Sequence, residues 1–83
     1  MNKVLIKVYV PEIEEIYDIW VPLNRKIHTV IKLLIKAIYD LSGGYYKPRE
    51  IPNLYNKITA RAYEMNKNVK ESDIKNGTEV ILL

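Results

Sequence analysis

Lys3-Val4-Leu5-Ile6-Lys7-Val8-Tyr9-Val10, and after Pro11-Glu12-Ile13-Glu14 the run Glu15-Ile16-Tyr17-Asp18-Ile19-Trp20-Val21, carry the architecture of this chain. In the first run the even positions Val4, Ile6, Val8 and Val10 are all apolar, while the odd ones read Lys3, Leu5, Lys7 and Tyr9. Side chains of a strand alternate between two faces, so this is a strand with one buried face. In the second run the parity reverses: Tyr17, Ile19 and Val21 form the apolar set, and Ile16, Asp18 and Trp20 lie on the other side. A slip of one residue would turn every side chain over, so the patterns fix the register of a hairpin. Val8 then faces Tyr17, Ile6 faces Ile19 and Val4 faces Val21 on the core side. Tyr9 by Ile16, Lys7 by Asp18 and Leu5 by Trp20 form the outer rungs, with an opposite-charge rung between two apolar ones.

Beyond Pro22 the apolar period changes. At about 100° per residue, Ile27, Val30, Ile31, Leu34, Ile38 and Leu41 share one side of a helix, with Thr29, Lys32, Lys36 and Asp40 opposite. Asn24, or a residue just after it, is placed to cap the start, and Gly43-Gly44 supplies the left-handed residue that ends a helix. With Leu33, Ile35 and Ala37 the apolar arc widens to roughly 200°, more than one sheet covers. The natural cover is Ser42 to Asn56, with two glycines, two prolines and the tyrosines Tyr45, Tyr46 and Tyr55; it either packs on the helix or offers a contact surface. Ile58 to Met65 reads as a strand of open parity, Asn66 to Lys70 as a turn or short edge strand, and Ser72-Asp73-Ile74 as a helical turn. Asn76-Gly77 is a turn, and Thr78 to Leu83 is a closing strand.

The 83 residues hold one core, so the reading is a single domain, 1–83, of class α+β. One helix must cover one face of a mixed sheet. The most economical connection sets the first and last strands side by side and parallel at the centre, with the helix crossing right-handedly above them. That arrangement is a β-grasp, or ubiquitin-like, roll.

Composition excludes several kinds of chemistry. There is no cysteine, hence no disulfide, thiolate metal site or cysteine nucleophile. The apolar fraction of 48% is too high for a disordered tail. The segment from Ile27 to Leu41 is broken by His28, Lys32, Lys36 and Asp40 and falls short of the about 20 apolar residues of a membrane span, and the start lacks a secretory signal pattern, which leads us to expect a cytoplasmic protein. His28, the one histidine, has no partner at a catalytic or metal-binding spacing and reads as a surface residue. Glu12, Glu14 and Glu15 alternate across a turn rather than converge on a cation. Gly43-Gly44 follows its helix, whereas phosphate-cradling glycines precede one. No catalytic, cofactor or metal site and no small-molecule substrate is therefore expected.

With a formal charge of +3, Arg25, Lys26, Lys32 and Lys36 form a basic flank that, with seven tyrosines, would suit a nucleic-acid-binding regulator; acidic residues interleaved nearby favour a solvated face instead. Conjugation or sulfur carriage requires a mobile tail ending in Gly-Gly. Here Val80-Ile81-Leu82-Leu83 belong to the last strand, so a modifier or carrier would need a tail this sequence does not show. The sharper candidate is the outer sheet face, where Leu5, Tyr9, Ile16, Trp20 and Ile81 form an apolar patch joined by the loop tyrosines Tyr45 and Tyr46. Such a patch suits protein docking and equally a homodimer.

The helix string Ile27-His28-Thr29-Val30-Ile31-Lys32-Leu33 and the ending Val69-Lys70-Glu71-Ser72-Asp73-Ile74-Lys75-Asn76-Gly77-Thr78-Glu79-Val80-Ile81-Leu82-Leu83 resemble the small ubiquitin-like proteins of the YukD/EsaB family, associated with type VII secretion. The resemblance covers nearly the whole chain, although Ser42 to Asn56 is longer and richer in tyrosine than the family pattern. It implies a cytosolic, non-enzymatic accessory or regulatory factor of the secretion machinery. Its partners would be protein components of that machinery, with membranes reached only through them.

Overall fold

The computed structural model describes residues 2–83. Strand β1 (Lys3–Val10) leads through a 3-10 turn at Pro11–Ile13 into β2 (Glu15–Pro22), then α1 (Ile27–Leu41), β3 (Leu54–Asn56), a second 3-10 turn at Val69–Glu71, and β4 (Glu79–Leu82). The hairpin register is the one that the parity of its side chains predicts: Val8 opposes Tyr17, Ile6 opposes Ile19 and Lys7 opposes Asp18. Proline fixes φ at the turn's first residue, and Glu14, left-handed at φ 52°, closes it by donating its N–H to the Pro11 carbonyl at 3.1 Å.

The sheet order is β2-β1-β4-β3, with β1 and β4 parallel at the centre and both other pairings antiparallel. This is the β-grasp arrangement. Helix α1 lies across one face and buries Ile27, Val30, Ile31, Leu34 and Ile38 against Val4, Ile6, Val8, Val10, Val21, Val80 and Leu82. Each such side chain contributes about 1.5–3 kcal/mol of gross burial energy, which makes this seam the main source of stability.

The helix start differs from the expectation for Asn24. The cap falls on Lys26 and carries no side-chain hydrogen bond. Instead the Ile27 and His28 N–H groups donate to the carbonyls of Lys67 and Met65, at 2.9 and 3.1 Å, because the returning chain passes directly in front of them. Backbone carbonyls thus satisfy donors that a helix leaves orphaned. At the other end the glycines act as expected: Gly43 and Gly44 have φ of 69° and 86°, and the Gly44 N–H reaches the Tyr39 carbonyl at 2.8 Å.

Three further expectations are corrected. Residues 58–65 are not a strand. The Asn56 carboxamide oxygen accepts the N–H groups of Ile58 and Thr59, and Ala60 turns left-handed, so the chain reverses there and leaves Ile58 exposed. It then runs back beside β3 with a single isolated bridge, Tyr55 to Ala62, while Tyr63 and Met65 pack on the core. The third strand lies earlier, at Leu54–Asn56, inside the stretch read as cover. The short helical turn also starts earlier, at Val69, where Asn68 and Glu71 cap each other reciprocally. Finally, Ser42 to Asn56 only partly covers the wide apolar arc of α1. Tyr46 and Leu54 enter the core, but Leu33 and Leu41 stay exposed.

Candidate interaction face

On the face of the sheet away from α1, the rungs of the hairpin extend across all four strands. Ile16 pairs with Tyr9, Tyr9 with Ile81, and Ile81 with Tyr55, giving one apolar row from edge to edge. The next row is Asp18, Lys7 and Glu79, continued by Lys57. Its charges alternate in sign, and its side chains close into pairs: Lys7 Nζ lies 3.0 Å from Asp18 Oδ1, and Lys57 Nζ lies 3.2 Å from Glu79 Oε1. Beyond it, Leu5 pairs with Trp20, beside the Asn76-Gly77 turn. The Asn76 side chain accepts the Leu5 N–H at 2.8 Å, and the Gly77 N–H donates to the Leu5 carbonyl, so the turn is stitched to β1.

Five of the seven residues singled out from sequence therefore share this face: Leu5, Tyr9 and Ile81 half-buried, Ile16 and Trp20 each 55% exposed. No element of the described residues covers them. The two loop tyrosines do not join them. Tyr46 is only 2% exposed and sits in the core, its N–H held by the Ser42 hydroxyl, so it offers nothing to a partner. Tyr45 is exposed, but it lies beside Tyr17 and Leu41 at the end of α1, on the helix side of the sheet. With the Tyr46 N–H held by the Ser42 hydroxyl, its ring turns into the core while Tyr45 stays exposed. Sequence reasoning missed Tyr55, Lys57 and Glu79. The closing-strand parity could have placed Glu79 beside Lys7, whereas Tyr55 was hidden by reading its segment as loop.

Two buried tyrosines away from this face have structural roles. Burial pushes the Tyr63 hydroxyl up to about 12, with the Asp73 hydrogen bond adding to the effect; Tyr63 donates to Asp73 Oδ1 at 2.7 Å and accepts from the Asn56 amide at 3.0 Å. This links β3, the returning chain and the segment before the Asn76-Gly77 turn. Burial likewise raises the Tyr46 hydroxyl to about 12, assisted by the negative charge of Glu12. His28 is exposed, and its Nδ1 lies 3.5 Å from Thr29 Oγ1. Among the described residues no three histidine or carboxylate side chains gather as a metal site would require, and no helix is long and apolar enough to cross a membrane.

No model of a known protein family matches this sequence, and no curated protein does. Solved structures do match its fold. A chain of the MycP5-free ESX-5 inner membrane complex superposes with a TM-score of 0.81 at 12% identity, covering 100% of this chain and 21% of that one. This chain thus spans about a fifth of that protein's length. The ubiquitin-like domain of the Mycobacterium tuberculosis type VII secretion system protein ECCD1 matches with a TM-score of 0.77 at 10% identity, over 100% of this chain and 99% of that one. A de novo design based on ubiquitin matches at 0.69 and 20% identity, over 99% and 88%. At these identities the likeness establishes the ubiquitin-like fold.

Proposed function

We propose that this chain is a non-enzymatic ubiquitin-like interaction module that acts as an accessory or regulatory factor of a type VII secretion system, on its cytoplasmic side, in the manner of the YukD/EsaB proteins. The observation that carries the reading is the uncovered sheet face, on which two apolar rows flank a row of paired charges. An apolar row next to a charge ladder suits protein recognition: desolvating the aromatic and aliphatic groups supplies affinity, and the alternating charges reward one orientation of the partner. Support for the secretion setting comes from the ubiquitin-like domains of type VII secretion proteins among the structures of like fold. Leu5, Tyr9, Ile16, Trp20 and Ile81 are the docking residues of this reading, with Tyr55 extending the row. Trp20 is its anchor, because a large, amphipathic and half-exposed ring gains most from burial by a partner.

The test is affinity purification from native cells with membranes retained. Wild-type protein is expected to retain type VII secretion components. Trp20→Asp is expected to lose them, with a thermal midpoint within a few degrees of wild type because the ring lies outside the core. Unchanged capture by Trp20→Asp, or covalent adducts of the chain in the same extracts, would overturn the reading, the adducts in favour of a protein modifier.

A further inference from the structure

The two edges of the sheet differ. On the β3 side the outward main-chain groups are used: the Asn56 N–H donates to the Arg61 carbonyl at 2.9 Å, and the Tyr63 N–H to the Leu54 carbonyl at 2.8 Å. On the β2 side they are open. Leu5 and Lys7 direct their main-chain groups toward the segment entering β4, with Gly77 N–H to Leu5 O at 2.8 Å and Lys7 N–H to Thr78 O at 3.0 Å. Val4, Ile6 and Val8 must therefore turn toward β2, where they meet Val21, Ile19 and Tyr17. By the same alternation, Ile16, Asp18 and Trp20 send their N–H and C=O groups outward, where no strand meets them.

Beside this edge, on the helix side, runs a groove between β2 and α1 floored by Ile19, Val21, Leu33, Leu34 and Ala37. The charged residues at its rim are Lys3 and Arg25, and neither forms an ion pair among the described residues.

We propose that the open edge of β2 takes up an extended peptide segment of a partner protein as a fifth strand, with alternate apolar side chains in the β2–α1 groove and a carboxylate-bearing end beside Lys3 and Arg25. Main-chain pairing at Ile16, Asp18 and Trp20 supplies the extended conformation, the apolar floor selects every second side chain, and the unpaired cations select acidic residues. A second copy of this chain fits less well. The antiparallel two-fold pairing that uses all three outward positions sets Asp18 opposite Asp18, and a shift by one rung loses a donor at Pro22 or relies on Glu14, which is left-handed. This goes beyond docking on the outer face: it uses the main-chain edge of β2 and the groove on the helix side, and only Ile16 and Trp20 belong to both.

The probe is a fluorescein-labelled synthetic peptide, Asp-Asp-Glu-Ile-Thr-Val-Thr-Val-Gly, titrated by anisotropy into the intact protein, with amide hydrogen exchange followed by NMR. Saturating peptide is expected to slow exchange at Ile16, Asp18 and Trp20 by about tenfold or more while leaving Tyr17 and Ile19 unchanged. The double variant Lys3→Glu with Arg25→Glu is expected to weaken binding about tenfold, and a peptide with lysines replacing its acidic residues to prefer that variant. Tyr9→Ser, on the outer face alone, is expected to leave peptide binding unchanged, which separates this proposal from the outer-face reading. The proposal is overturned by any of four results. These are no binding up to about 1 mM, equal binding of a backbone N-methylated peptide, protection confined to Leu5, Tyr9 and Ile81, or concentration-dependent protection of the β2 edge without peptide, which would mark self-association.

Discussion

Trp20 and Tyr46 show how far a single side chain's fate can be read from its neighbours. Trp20 stands in a strand whose alternate residues are apolar, so its outward direction follows from Ile19 and Val21 pointing in. Tyr46 stands in a loop without period, and its inward turn depends on the Ser42 hydroxyl that holds its N–H and on space left beyond the end of α1, neither of which a local pattern encodes. The burial of Tyr46 and Tyr63 has a pH consequence. Both hydroxyls are raised from 10.0 to about 12 in the folded protein, chiefly by desolvation, so the folded state holds protons that the unfolded chain has released. Their contribution to stability is fully present below pH 10 and is lost as pH rises toward 12. Denaturation midpoints in urea should hold steady up to about pH 10 and fall above it, and Tyr46→Phe with Tyr63→Phe should make that fall shallower. A fall that is equally steep in the double variant would mean that other groups govern the alkaline limit.

At the scale of elements, the charge row across the sheet makes a specific claim. Lys7 lies between Asp18 and Glu79 on neighbouring strands, so Lys7→Glu would set three carboxylates in a line. Each exposed pair contributes only about 0.2–1 kcal/mol, and the reversal should cost about 1–2 kcal/mol in low salt, with part of the loss recovered near 1 M salt through screening. Chemical denaturation at two ionic strengths measures it. A loss independent of salt would show that the lysine acts through packing of its stem.

The elements themselves were legible to unequal degrees. The hairpin register and the face of α1 that meets the sheet followed from side-chain period, because each of these segments repeats its pattern over several turns or rungs. Residues 58–65 misled because Ile58, Ala60 and Ala62 mimic alternation, while the decisive event is the Asn56 carboxamide capturing two amides. Strand β3 is only three residues long, too short to show any period. Of the candidate face, the apolar residues on β1, β2 and β4 were found, whereas Tyr55 on β3 and the charges Lys57 and Glu79 were not.

For the whole molecule, stability rests on β4, whose Val80 and Leu82 complete the core beneath α1. Val80→Asp would bury an unpaired charge at the centre of the sheet and is expected to abolish cooperative thermal unfolding, read by far-UV circular dichroism. A retained sharp transition would show that β1, β2 and α1 fold without the last strand. The parallel pairing of β1 with β4 also dictates how the protein answers to force. Because the two strands run the same way, a tether at residue 2 and another at residue 83 leave from opposite poles of the sheet. Tension between them loads the links from Leu5, Lys7 and Tyr9 to the Asn76-Gly77 turn and the closing strand in shear, all together rather than one after another. A domain joined in this way to a moving assembly would behave as a stiff coupling that transmits load before it yields.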